Sequence, residues 1–302
     1  MNLSPTLEKA YANEHISARH AQWFAEFIAF GPIVFQVSRL MIKFGILDLL
    51  RDSDEGMTIQ EITDKTQLSE YAVKVLLESS LTIGSILVDK DTDRFSLSKI
   101  GWFLLTDRAT RINIDFNQDV NYEGWFHLEE TLEKGRPIGL KHFGNWDTIY
   151  EGLSQLPDNA QRSWLAFDHF YSDEAFDAAL KIVFNQPTHT LLDVGGNTGR
   201  WALRCVAYNK EVKVTIMDLP QQLKMMKEQI KEEEGAERID SYSVNLLDPK
   251  SSFPDKPYDT IWMSQFLDCF SEDEIYSILS RAARKMNKST RLYIMLDKYY
   301  SQ

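Results

Sequence analysis

Apolar and polar positions divide the chain into a helical first third, an irregular aromatic middle and a last third of alternating short elements. Residues 6–50 carry apolar side chains at helical spacing, with a break at Gly31-Pro32. Trp23, Phe24, Phe27, Ile28, Phe30, Ile33, Val34, Phe35 and Val37 crowd this stretch. That is more apolar surface than two helices bury against one neighbour. Thr58 followed by Glu61, and Ser69 ahead of an amphipathic run, are helix-start signals. Ile86 to Val88, a polar turn, and Phe95 to Leu97 read as a hairpin. These elements predict an all-α/winged-helix domain over 1–110, with aromatic linker helices over 111–180. Pro157 to Ala179 is expected to be the helix leading into the last domain. From Leu191 the pattern predicts strands at 191–194, 213–218, 240–244, 259–263 and 291–296. Helices are expected from about 200, at 220–234 and at 272–287. Apolar strands alternating with helices imply a parallel sheet covered on both faces, so the fold class is α/β, with a doubly wound Rossmann-like domain over 181–302.

Charge and composition remove whole classes of function. A formal net charge of −12 argues against a nucleic-acid backbone as partner, since phosphates need a basic surface. In the second helix of the winged unit Lys74 is the only basic residue, between Glu70 and Glu78. The winged helix is therefore expected to serve homodimerisation and not DNA binding. Two cysteines, Cys205 and Cys269, form neither a metal-type pair nor a disulfide framework, and no metal is expected. The longest apolar run, Phe24 to Val37, is interrupted by Glu26, Gly31, Pro32 and Gln36. With no basic-then-apolar leader, a cytoplasmic protein without a membrane partner is expected.

The stretch with chemistry in it is Thr190-Leu-Leu-Asp-Val-Gly-Gly-Asn-Thr-Gly-Arg200. A buried strand, a glycine turn and a helix N-terminus let backbone N–H groups approach a ligand unobstructed. Lys213 to Asp218 is a second strand ending in a carboxylate, 25 residues after Asp193. That is one βαβ unit, which puts Asp218 where doubly wound folds grip ribose hydroxyls. A dinucleotide fits poorly: the glycine spacing differs from G-x-G-x-x-G, and Asp193 at the strand end would repel a pyrophosphate. An acid there suits a cationic or zwitterionic ligand.

The pattern resembles motif I of the class I S-adenosylmethionine-dependent methyltransferases, with Asn197 in place of its middle glycine. Asn tolerates left-handed geometry better than other non-glycine residues. Tyr122 to Glu130, Gly135-Arg-Pro137 and His142-Phe-Gly144 are similar to the linker of the plant-type small-molecule O-methyltransferases and their bacterial relatives. The resemblance covers nearly the whole chain. It implies S-adenosylmethionine as cofactor, held by Asp193, Gly195, Gly196, Asn197 and Gly199 and by Asp218-Leu219 ahead of Pro220. It further implies that Asn245 hydrogen-bonds adenine and that Leu246 packs on it. Ser264 stands where plant members have a lysine near the cofactor. Tyr171 stands where the family has a methionine close to the sulfonium. The family's general-base histidine is matched by Asp268, followed by Cys269 and Phe270.

That change bears on the reaction. An ordinary carboxylate, with pKa about 3.9, lies about six units below a phenol. Other base candidates are His169, beside the expected sulfonium site, and His127 and His142 on the linker. An in-line displacement also gains from proximity alone, so an already acidic acceptor needs no strong base. The expected activity is methylation of a small, aromatic, hydroxyl-bearing metabolite. The alternative is a non-catalytic cofactor-binding scaffold, in which replacement of the histidine by Asp268 removed chemistry. A winged-helix regulator and a dehydrogenase rank behind both. The resemblance also implies a helix and hairpin after the fifth strand, so a chain shortened relative to the family is expected. The family's acid at the end of that strand is matched by Leu296, with Asp297 following.

Overall fold

The computed structural model describes residues 14–295, together with 9 and 12. The expectations attached to Leu296, Asp297 and the chain end lie outside the described residues. The chain divides into two compact units, one up to Ile114 and one from Asp115.

The first unit begins with α1 (Ala18–Ala29), capped by Ser17, whose side chain accepts from the His20 N–H. Helix α2 (Gly31–Lys43) follows, with Pro32 in its first turn, where a missing N–H is tolerated. After α3 (Ile46–Arg51), α4 (Ile59–Thr66) starts on a reciprocal capping box between Thr58 and Glu61. Helix α5 (Glu70–Ile83) starts on Ser69. The antiparallel wing β1 (Ile86–Asp89) and β2 (Arg94–Leu97) leads into α6 (Lys99–Thr106). Met41, Ile46, Leu47, Ile62 and Leu77 form a fully buried centre. Helix α1 buries none of its residues. Lys74 on α5 is paired to Glu70 at 3.6 Å, so the helix in the recognition position has no surplus positive charge.

In the second unit, α7 (Arg108–Phe116), which begins in the first, is followed by a π-turn and a 3₁₀ turn. Then come α8 (Leu128–Lys134), the short α9 (Ile149–Gly152), α10 (Asp158–Asp173) and α11 (Phe176–Val183). The helix expected over 157–179 is thus two helices. Ala160 and Trp164 of α10 pack with Val120 and Leu156, whereas Phe176, Leu180 and Val183 of α11 pack against the sheet. Two different cores claim the two halves, and the chain turns between them.

The sheet contains β3 (Thr190–Val194), β4 (Lys213–Asp218), β5 (Ile239–Ser243), β6 (Thr260–Ser264) and β7 (Arg291–Met295). All pairings are parallel, in the order β5-β4-β3-β6-β7. Helices α12 (Arg200–Tyr208), α13 (Pro220–Ile230) and α14 (Glu272–Ala283) connect them. Leu191, Trp201, Val214 and Ile216 belong to one core, and Leu192, Val194, Met217 and Met263 to the other, because successive strand residues face opposite sides. The chain leaves β3 first toward β4 and later returns on its other side as β6. That reversal opens a crevice at the carboxyl end of β3, the ligand site of open α/β sheets.

Among the described residues no single helix is long and apolar enough to cross a membrane. Helices α1 and α2 reach that length and apolarity only as a pair, and they are bent by 73°.

Candidate functional site

The crevice is built on a strained turn. Gly195 (φ 71°), Asn197 (φ 47°) and Gly199 (φ 81°) all have left-handed backbones. A Cβ on Gly195 would stand 2.3 Å from the Phe266 ring, and one on Gly196 would stand 2.6 Å from Asp193 Oδ2. Gly195 N–H donates to the Met217 carbonyl at 2.9 Å, tying the turn to the end of β4. Gly199 lies beneath, against Met226 and Ile230 of α13, and packs the turn onto the helix.

Two hollows share this turn as a wall. The smaller, about 40 Å³, is lined by Asp193, Gly196, Thr198, His169, Arg200 and Trp262 among others. The larger, about 200 Å³, is lined by Asp218, Gln222, Tyr150, Phe266, Asp268 and Cys269 among others. Asp168, Gly195, Asn197, Ser264 and Gln265 belong to both. A third and wider cavity, about 760 Å³, has Ile149, Trp164, Asp268 and Cys269 in common with the second. Its walls include Trp125, Leu128, Leu140, Phe143 and Phe270, with Arg136, Asp147 and Glu274 supplying charge.

The two acids are buried at strand ends. Asp193 is 2% exposed, and its Oδ2 is buried without a hydrogen-bond donor. Burial, reinforced by the neighbouring Asp218, pushes its pKa up to about 8. Asp218 is 4% exposed. It accepts from the Leu219 N–H at 2.7 Å and the Asn197 N–H at 3.1 Å. Burial raises it to about 6 against the pull of those two donors. An orphaned carboxylate oxygen beside a glycine that leaves it room fits the ammonium of an aminoacyl group. A second carboxylate on the adjoining hollow fits a sugar diol. The residues present therefore suit a sulfonium nucleoside.

The remaining sequence candidates divide. Ser264, at the end of β6, lies on both hollows. Leu219 contributes its backbone N–H to Asp218, and its side chain is in the core. Asn245 is exposed and folds its Oδ1 back onto the Leu247 N–H at 2.9 Å, while Leu246 is buried in the core. Neither lines a hollow. Their loop is pinned by Arg281, which donates to the carbonyls of Leu246 (2.5 Å) and Asp248 (3.0 Å). Tyr171 packs on Phe167, which lines the larger hollow, and on Phe170, but lines neither hollow itself. His169 lies 3.1 Å from Thr198 Oγ1 at the smaller hollow and does not meet Asp268 on any cavity wall. Burial, with Arg200 nearby, lowers its pKa to about 4 despite Asp173. His142 pairs with Glu123 at 2.9 Å and His127 lies 3.9 Å from Glu130, neither on these walls. Asp268 lies in the turn before Ser271, whose capping box with Glu274 starts α14.

Sequence reasoning missed Asp168, Gln222, Gln265 and Tyr150. Gln265 has the left-handed backbone of a strained residue, φ 45°, directly after β6. The one available signal was the position of Gln222, in the first turn of the helix that follows Asp218.

Comparison with known proteins bears on the domains and the fold. Residues 22–95 match a Dimerisation2-like domain and residues 191–289 a methyltransferase domain. O-methyltransferase 4 of Dictyostelium discoideum is 26% identical over 184 residues, 57% of this chain and 50% of that protein. The chain spans about half the length of curated relatives it matches. In fold it resembles the mitomycin 7-O-methyltransferase MmcR (TM-score 0.71, 18% identity, 94% of this chain and 83% of that one). It also resembles PigF, solved with SAH (TM-score 0.71, 18% identity, 92% and 81%). The chain thus carries a Dimerisation2-like domain ahead of a methyltransferase domain, and the relatives and structural neighbours to which it is similar include O-methyltransferases.

Proposed function

We propose that the second unit binds S-adenosylmethionine at the β3 turn and methylates a hydroxyl of a small aromatic metabolite held in the 760 Å³ cavity. The observation that carries this reading is the pair of buried acids on adjoining hollows, Asp193 with an unpaired oxygen and Asp218 one βαβ unit later. When bound, the cofactor supplies an electrophilic methyl group on a sulfonium. Asp193 faces the aminoacyl ammonium, and Asp218 accepts from the ribose. Gly195 and Gly196 keep the approach clear. Trp125, Phe143, Trp164 and Phe270 give a flat acceptor an apolar bed. Asp268, on the walls of both larger cavities, takes the hydroxyl proton as the acceptor oxygen gains the methyl. A carboxylate is a weak base, so the reading favours an acceptor whose hydroxyl is acidified by its ring.

Calorimetry with S-adenosylhomocysteine tests the site. Binding is expected, and Asp218→Ala should weaken it roughly tenfold or more, as charged hydrogen bonds are lost. No heat with the wild-type protein would refute the reading.

The Dimerisation2-like unit supports a homodimer. Trp23, Phe24, Ile28, Phe30 and Ile33 on α1 and α2 are all about half exposed or more, an apolar face of the kind that marks an interface.

A further inference from the structure

A side-chain relay crosses the glycine turn and ends on an unmet hydrogen-bonding group. Asn197 stands where the sequence pattern calls for a glycine. Its side chain reaches two elements at once. Its Nδ2 donates to Asp168 Oδ2 on α10 at 3.1 Å, and its Oδ1 accepts from Gln222 Nε2 on α13 at 3.2 Å. Its backbone N–H donates to Asp218 Oδ2. The direction of this relay is set at one end. A carboxylate accepts and does not donate, so the Asn197 amide must turn its NH₂ toward Asp168. Its carbonyl then faces Gln222, which commits the Gln222 NH₂ and leaves Oε1 at the far end. Swapping the amide atoms of either residue would set donor against donor or acceptor against acceptor.

Gln222 Oε1 is buried without a donor, and the residue is only 5% exposed. A buried carbonyl is rarely left unmet in a native protein. Gln222 and Asp218 lie on the same 200 Å³ hollow, whose described walls include no lysine, arginine or histidine. The hollow thus offers Asp218, at the end of β4, and Gln222, four residues on in α13, as acceptors, and no cation to satisfy them. The Tyr150 hydroxyl on the same walls is also unpaired and can donate or accept. A ligand that meets both Asp218 and Gln222 Oε1 has to bring donors.

We propose that Gln222 is a positioning residue for the ribose, its Oε1 accepting one hydroxyl of the vicinal diol whose other hydroxyl is held by Asp218. The assignment rests on the cofactor reading above. It also accounts for Asn197: a glycine there would leave the Gln222 amide free to rotate and its carbonyl unaimed.

The test is calorimetry of S-adenosylhomocysteine and its 2′-deoxy and 3′-deoxy analogues with the wild-type protein, Gln222→Met and Asn197→Gly, each checked for a cooperative melt. Gln222→Met should raise Kd for the parent nucleoside roughly tenfold, the size of one lost hydrogen bond with its desolvation. It should leave unchanged the Kd of whichever deoxy analogue lacks the hydroxyl that Oε1 reads. Asn197→Gly should show a smaller loss with the same selectivity. Retention of affinity within about twofold, or an equal loss for all three ligands, would overturn the assignment, the latter because it reports packing alone. Should Gln222→Met not fold, the wild-type protein decides: both deoxy analogues must bind more weakly than the parent, and a loss confined to one refutes the shared grip. Failure of the wild-type protein to bind the parent nucleoside would instead sink the cofactor reading, and this assignment with it.

Discussion

At the scale of single residues, the two buried acids set the pH behaviour of the site. Asp193 and Asp218 titrate in the folded protein near 8 and near 6, because burial disfavours their charged forms. The unfolded chain gives up these protons at lower pH. The stability they contribute is therefore fully present below the ordinary carboxylate range and is lost as pH rises through about 6 and then about 8. The ligand-free protein is expected to melt at progressively lower temperature across that window, as far as these two groups govern it. A cationic ligand reverses the trend, since an ammonium beside Asp193 favours its ionised form. Affinity for S-adenosylhomocysteine should rise over the same pH range, with proton release measurable by calorimetry in buffers of differing ionisation enthalpy. Affinity that is flat with pH would refute the placement of the ammonium. Asp268 separates binding from chemistry. Asp268→Asn should leave cofactor affinity within a few-fold of wild type and lower the methyl-transfer rate roughly a hundredfold, the usual range for a lost general base. Single-turnover assays at saturating cofactor would measure this.

Among the elements, the turn between β3 and α12 governs both binding and folding. Gly195 combines a positive φ with a Cβ position 2.3 Å from the Phe266 ring. Gly195→Ala is thus strained in its backbone and also pushes an aromatic wall of the ribose hollow. A loss of about 1–3 kcal/mol in stability is expected. For a unit of this size that is several degrees in melting temperature, about 2–4 °C per kcal/mol. Nucleoside affinity should fall further than stability, because Phe266 is displaced. Thermal melts with and without S-adenosylhomocysteine separate the two effects. The loop after β5 depends in the same way on one side chain. Arg281, 6% exposed, donates to the carbonyls of Leu246, Asp248 and Ser251 and to the Ser251 hydroxyl.

For the molecule as a whole, the uncovered face of α1 and α2 is the feature that a lone chain leaves unexplained. Helix α1 has a defined cap but no buried residue, and Ile28 and Phe30 are more than 60% exposed. Such a helix gains its stability from a partner surface. The pair Ile28→Asp and Phe30→Asp should shift the protein from dimer to monomer in sedimentation velocity at micromolar concentration. A wild-type protein already monomeric there would remove the dimer reading. Nucleoside affinity of a folded monomeric variant then tests whether the site is complete within one chain.

Much of this was legible in residue order. From Leu191 on, strand and helix positions followed from periodicity, which is local, and observed boundaries lie within a few residues of the expected ones. The single helix expected over 157–179 is instead two. The spacing of Asp193, the glycines and Asp218 is likewise a property of one βαβ unit. The sequence by itself therefore determined the two kinds of domain, the sheet and the two acids at the crevice. Tertiary structure alone decided which residues meet there. Asp168 and Gln222 are 29 and 25 residues from Asn197 and join it only because α10 and α13 both pack on the turn. Asn245 and His169 have the right chemistry, yet Asn245 bonds its own loop and His169 is held on a separate hollow. A side chain's neighbours across the fold depend on how whole elements pack, and no local pattern encodes that.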